Sequence, residues 1–312
     1  APDPLRGRGR AAAVLGLLVL TASAAAAQAP RHPLDPLTFA EHWTVLEVLR
    51  DAGRYDDSTG VALVLLKVPP KAAVWAWRPG EALGREALVV LRRQAATYEA
   101  VIDLAGRWLA SWRQVEGAQV PWLGHEFEAA TELVKSHPDF VAALRRRGIT
   151  DLTFIDCGGG PPGTFGIPDE AGRRIAHVGC RDVRGVRNLW TRGIEGLVAV
   201  VDMDERTVLR VIDEGPVPVP ATNADYDAGR MGPLRGSPAP FALVQALGPG
   251  FRLDGHKVDW HPWRFHVRPD HRTGMVVSVV RYVDGGRERA VLYQGHLSEI
   301  FVPYMAPSEN WY

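Results

Sequence analysis

Residues 251–312 constrain the fold more than any other stretch of this chain. Trp263, Phe265 and Val267 alternate with Arg264, His266 and Arg268, which is the period of a half-buried strand. A second β-rich run covers 274–282. Asp284-Gly285 is a hairpin turn that leads into a third strand at 289–293. Three strands without closing partners are expected to open a large β-sandwich rather than to finish a small domain.

Upstream, the chain reads as helix then sheet, twice over. Thr38 followed by Glu41 makes a capping box, and Gly53 is a stop signal. Between them Phe39, Trp43, Leu46 and Arg50 lie near one stripe, widened by Val45 and Leu49, so the spacing predicts an amphipathic helix. Strands are expected at 61–68, 71–77, 87–91 and 98–104, punctuated by Pro69-Pro70 and Pro79-Gly80. The second set starts with a helix over 126–135. Another follows with Pro138 in its first turn and ends at Arg145-Arg146-Arg147-Gly148. At a helix C-terminus those arginines read as solvated partners of the helix dipole, not as nucleic-acid contacts. Strands are then expected at 152–156, 174–178, 197–203 and 208–213, with Asp204-Glu205 at a turn. The fold class is α+β: two successive small helix-plus-antiparallel-sheet units, 31–120 and 121–215, a duplicated architecture without obvious sequence repetition. A Pro/Gly-rich linker, 216–250, separates them from the start of the sandwich at 251–312.

The 312 residues suffice for two or three domains, and 36 basic against 36 acidic residues give no electrostatic case for nucleic acid. Residues 1–30 have the layout of a secretory signal. Arg6, Arg8 and Arg10 precede an apolar run at 11–20, and small residues follow, with Ala25-x-Ala27 and Ala27-x-Ala29 as cleavage sites. The run is short for a membrane span, and an uncleaved anchor is the alternative. With no Arg-Arg pair before the apolar run, the general export route is expected. The chain opens on Ala rather than Met, so its true start is expected upstream. Export to the periplasm or the extracellular space would permit a disulfide between Cys157 and Cys180; two buried thiols are the equal alternative. Two cysteines with no His at ligand spacing make a poor zinc site.

Several stretches, in this order, carry a family resemblance: His32-Pro33-Leu34-Asp35-Pro36-Leu37, Trp77-x-x-Gly80, Tyr98-Glu99-Ala100, Trp112, the run 190–220, and 263–312 with its Leu297-Ser298-Glu299 to Pro303-Tyr304 segment. Together they resemble the copper/topaquinone primary-amine oxidases. The resemblance implies two cystatin-like amino-terminal units packed outside a large dimeric β-sandwich. It implies copper held by a His-x-His pair and a third His, a topaquinone made from the Tyr of an Asn-Tyr-Asp/Glu motif, and an Asp general base. The implied reaction takes a primary amine and oxygen to aldehyde, ammonia and hydrogen peroxide.

Those catalytic parts are not found in this sequence, and the reading assigns it neither catalytic nor metal residues. It has no His-x-His. His256, His261, His266 and His271 recur every five residues, but an odd offset on a strand alternates faces and Pro262 and Pro269 interrupt the run. They read as surface or hydrogen-bonded histidines. Thr222-Asn223-Ala224-Asp225-Tyr226-Asp227 is a near miss for the quinone motif, with Asp225 where Asn is required, and it lies in the linker. Gly158-Gly159-Gly160 reads as a surface loop; no Lys-Ser/Thr follows to make a phosphate cradle. Trp190 matches the place where some relatives put an aromatic at the mouth of the amine channel, and a packed aromatic at a domain edge is its plainer alternative. The resemblance puts the general-base Asp a few residues beyond Tyr312. Two functions follow. The chain is the amino-terminal part or non-catalytic subunit of a copper amine oxidase, partnered by a catalytic domain or subunit and forming a homodimer, with no nucleic acid and no membrane contact beyond the leader. Alternatively, it is a stand-alone exported binding module.

Overall fold

The computed structural model describes residues 29–163, 166–221, 225–233, 235–298 and 300. The leader expected at 1–30, apart from its last two residues, lies outside them, as do 222–224 of the near-miss motif and the 301–312 segment.

The first unit begins with the expected capping box. Thr38 Oγ1 accepts the Glu41 N–H at 3.2 Å, and Glu41 Oε2 accepts the Thr38 N–H at 2.8 Å. Helix α1 (Phe39–Asp51) follows and ends beside Gly53, whose φ of +65° suits a residue without Cβ. It buries Val45, Val48 and Leu49 against Ala87, Val89, Leu91, Ala100 and Ile102. The sheet is antiparallel in the order β1 (Thr59–Lys67), β2 (Glu86–Arg93), β3 (Ala96–Asp103), β4 (Trp108–Gln114). Strand β4 was not expected, because its exposed Trp108, half-buried Trp112 and exposed Arg113 do not alternate cleanly.

The strand expected at 71–77 is instead helix α2 (Lys71–Ala76). Its three alanines favour helix, and its β-like Val74 and Trp75 are used for docking. Val74 is buried, while Trp75 packs 6.1 Å from Tyr293 and under the Arg281 guanidinium at 5.0 Å.

The second unit repeats the plan. Helices α3 (Gly124–Ser136) and α4 (Pro138–Arg146) cover an antiparallel sheet ordered β5 (Ile155–Gly160), β6 (Ile175–Asp182), β7 (Leu197–Asp202), β8 (Thr207–Asp213). Every residue of β7 is buried, and Val134, Phe140 and Leu144 pack onto Ala176, Val178, Leu197 and Ala199. Residues 152–154 form a 3₁₀ turn, so the strand starts later than expected and takes in the three glycines. Gly158, Gly159 and Gly160 are therefore paired strand residues, not a surface loop. Pairing is close at Gly159, where a Cβ would lie 2.1 Å from the carbonyl oxygen of His177.

Within the arginine triplet Arg145 and Arg146 are exposed as expected, and Arg147 differs. The Arg147 side chain is buried and donates to Asp213 Oδ1 at 2.7 Å and to the carbonyls of Gly196 and Gly215 at 3.0 and 2.5 Å. Its position at the helix end is real, but tertiary carbonyls and a carboxylate replace water as its partners.

Residues 235–250 are exposed and form neither helix nor strand, and the short helix α5 (Ala228–Met231) is capped by Asp227. The third sheet is an antiparallel meander: β9 (Phe251–Asp254), β10 (Lys257–Trp260), β11 (Trp263–Asp270), β12 (Gly274–Asp284) and β13 (Arg287–Gly295). It holds the three expected strands plus β9 and β10. Gly285 and Gly286, both at positive φ, turn the last hairpin. Met275, Val291 and Leu292 stay exposed on it, as expected of a sheet that begins a sandwich. Among the described residues, no helix is long and apolar enough to cross a membrane.

Candidate functional site

Trp190 stands on a single 3₁₀ turn, Leu189–Thr191, and is 75% exposed. The turn is anchored from two sides. Asn188 Oδ1 accepts the Trp190 N–H at 3.3 Å, and the buried Asp225 accepts the N–H groups of Arg187 and Asn188 at 2.7 Å each. Asp225 of the near-miss motif is thus a loop anchor, and Tyr226 beside it is exposed. The Arg181 guanidinium lies 4.3 Å from the centre of the indole and 3.2 Å from Asp156 Oδ2.

Below the indole is a cleft of about 400 Å³, lined among others by Gly158, Gly160, Pro161, His177 and Glu195. Cys157 and Cys180 face each other across β5 and β6 and are joined, S–S 1.97 Å; Cys180 lines the cleft floor. An exposed indole on an anchored turn, with a cation beside it, can hold the apolar part of a ligand and steer charge.

A second cluster was missed in the sequence. His266, at 1% exposure, donates Nε2–H to Asp35 Oδ1 at 2.8 Å across 231 residues of chain. Asp35 Oδ2 also accepts the N–H groups of Arg31 and His32 at 2.7 and 3.0 Å. The His32 ring stacks on that of His266, centroids 4.7 Å apart, and the His256 ring lies 5.7 Å away. The five-residue spacing did not create this grouping. Residues 31–35 reach over the β10–β11 hairpin, which brings His256 beside His266. The available signal was the pair His32 and Asp35 in one short turn.

His32, Asp35 and His266 offer donor atoms within 4.8 Å of one another, so they test whether residues of this chain fit a copper ion. Their hydrogen bonds say they do not. His32 Nδ1 accepts the Leu34 N–H at 3.1 Å, which places that ring's proton on Nε2. The Asp35 carboxylate places the His266 proton on Nε2 as well. A transition metal needs a bare ring nitrogen from each imidazole; His266 keeps one at Nδ1, but that of His32 is taken by the Leu34 N–H, and two stacked rings cannot both aim their in-plane lone pairs at one ion.

With these sites described, three successive stretches match models of one family. Residues 32–115 match the copper amine oxidase N2 domain, 125–229 the N3 domain and 252–312 the enzyme domain. The chain belongs to the copper amine oxidase family. It is 37% identical over 301 residues to the copper-containing amine oxidase gamma 1 of Arabidopsis thaliana, covering 91% of this chain and 41% of that protein. It is 34% identical over 298 residues to a primary amine oxidase of Klebsiella aerogenes, covering 90% and 38%. The crystal structure of a copper-containing benzylamine oxidase from Hansenula polymorpha matches with a TM-score of 0.71 at 20% identity, over 90% of this chain and 46% of that one, a likeness of fold. The chain spans less than half the length of these relatives.

Proposed function

We propose that this chain supplies the two amino-terminal units and the first catalytic strands of an exported primary-amine oxidase. That enzyme turns a primary amine, oxygen and water into an aldehyde, ammonia and hydrogen peroxide. The observation that carries the reading is the succession of N2, N3 and enzyme-domain matches on three consecutive sheets. Copper and topaquinone, in this reading, are held by residues outside this chain, and the working enzyme is a homodimer. When bound, the quinone supplies a carbonyl that acts as an electron sink. This chain's own residues do the positioning. Trp190 and Arg181 stand at the mouth of the amine channel, the indole holding the apolar part of the substrate. The joined Cys157 and Cys180 favour an oxidising compartment, periplasmic or extracellular.

The test starts with the gene. The reading expects the coding sequence that completes this chain to carry an Asn-Tyr-Asp/Glu motif and a His-x-His pair. The product loaded with copper should then release hydrogen peroxide from a primary amine and form a coloured adduct with phenylhydrazine, while residues 1–312 alone should do neither. A reading frame without those motifs, from a chain that is folded and monomeric by itself, would leave the stand-alone binding module as the better reading.

A further inference from the structure

The turn at residues 31–35 covers β10 and β11 through titratable groups that the oxidase reading does not use. With Nε2–H given to Asp35, the Nδ1 of His266 is left buried and bare, without a hydrogen-bond partner. His32 and His256 lie against it, and Lys257, Arg85 and Arg268 add positive charge around the pair, the two arginines being themselves paired with Glu41 and Asp270. Asp35 is the anion that faces both imidazoles; Asp254 at the rim is paired with Arg31 at 2.9 Å.

We infer that this cluster is an acid-released latch. Neutral imidazoles hold the opening turn of the first unit on the catalytic sheet, and proton uptake at His32 or His266 loosens that contact while the second unit stays folded. A proton added to His266 lands on Nδ1, where nothing accepts it. A proton added to His32 turns the Nδ1 acceptor into a donor facing the Leu34 N–H. Either event also adds positive charge to a buried site where Lys257, Arg85 and Arg268 already disfavour another cation.

The direction of titration agrees with this geometry. Burial first, then the neighbouring His266, lowers His32 from 6.5 to about 4 against the attraction of Asp35. Burial likewise lowers His266, although its bond to Asp35 pulls the other way. Burial opposes ionisation of Asp35, but the His266 and backbone hydrogen bonds outweigh it and hold that group at about 2, so it stays charged while the histidines titrate. For bases with depressed folded values, the stabilising contribution is complete above about 6.5 and is lost as pH falls towards 4. The latch does not depend on the oxidase reading.

Hydrogen exchange on the full chain tests it, after correction for the intrinsic pH dependence of exchange. Between pH 7.5 and 5, peptides covering 31–37 and 256–268 are expected to lose roughly ten- to thirty-fold in protection, while 126–146 and 175–202 keep theirs. The double variant His32→Asn, His266→Gln keeps an acceptor for Leu34 N–H and a donor for Asp35 but cannot titrate, and should flatten the pH dependence. Unchanged protection at the turn down to pH 5 would overturn the latch. So would simultaneous loss in the second unit, or an undiminished pH slope in a folded double variant.

Discussion

Arg174 grips both carboxylate oxygens of Glu126, Nη2 to Oε2 at 2.6 Å and Nε to Oε1 at 2.5 Å, across 48 residues of chain. Glu126 also accepts the Leu123 N–H at the start of α3, and the remaining Arg174 N–H groups bond the carbonyls of Val120 and Pro121. Arg85 repeats this clasp on Glu41 in the first unit, with the carbonyls of Pro33, Asp35 and Pro36 in the matching places. The two units therefore share a buried mechanism as well as a strand order. Each Arg immediately precedes the second strand of its sheet and ties that strand to the first turn of its helix.

Removing one partner of such a buried pair strands the other charge, so Arg174→Ala and Arg85→Ala are each expected to cost about 3–5 kcal/mol in denaturant unfolding. Arg174→Lys should recover only part of the loss, because a single ammonium cannot replace the fork. Burial alone would raise Glu41 and Glu126, but the arginine and backbone hydrogen bonds prevail and lower both. Their stabilisation is thus complete above about 4.5 and declines as pH drops below it, an acid slope that the Ala variants should lack.

Cys157 and Cys180 close a loop with a sequence separation of 23 on directly opposed strands. Chain-entropy reasoning gives the cross-link about 3 kcal/mol. The Cys157→Ser, Cys180→Ser double variant is expected to lose that amount in urea unfolding, and reduction of the wild-type chain should lower Tm alike.

Gly159→Ala places a methyl group against the backbone of His177, which cannot move without opening the β5–β6 ladder. A loss of about 1–3 kcal/mol is expected. Gly158→Ala, with open space around the added carbon, should be close to neutral, and thermal unfolding of the two variants compares them directly.

Trp190→Ala tests the channel mouth in the complete enzyme. Loss of one aromatic contact, about 0.5–1.5 kcal/mol, should raise KM for an arylalkyl amine roughly two- to ten-fold and leave kcat unchanged. An equal effect on methylamine would show that the indole supports the loop rather than the substrate.

Most of the plan was legible in short-range chemistry. The Thr38–Glu41 box, Pro138 in a first helical turn, the Gly285 turn and the alternation at 263–268 are each written within a few residues. Helix α2 was misread because its Val74 and Trp75 answer to a sheet more than two hundred residues away. The three glycines looked like a loop because a strand without side chains has no period to read. The functional reading depended on resemblance, since Trp190 has no local pattern that marks it.

Two helix-then-sheet units, a Pro/Gly-rich link and a third run of strands are readable along the chain, because capping, turn chemistry and hydrophobic period are local. Which charges are buried together depends on packing between distant segments. Arg147 turned from a solvated helix end into the partner of Asp213, and His266, one of four evenly spaced histidines, became the partner of Asp35. Pairings across 66 and 231 residues are set by how sheets and turns pack, and no spacing along the chain encodes them.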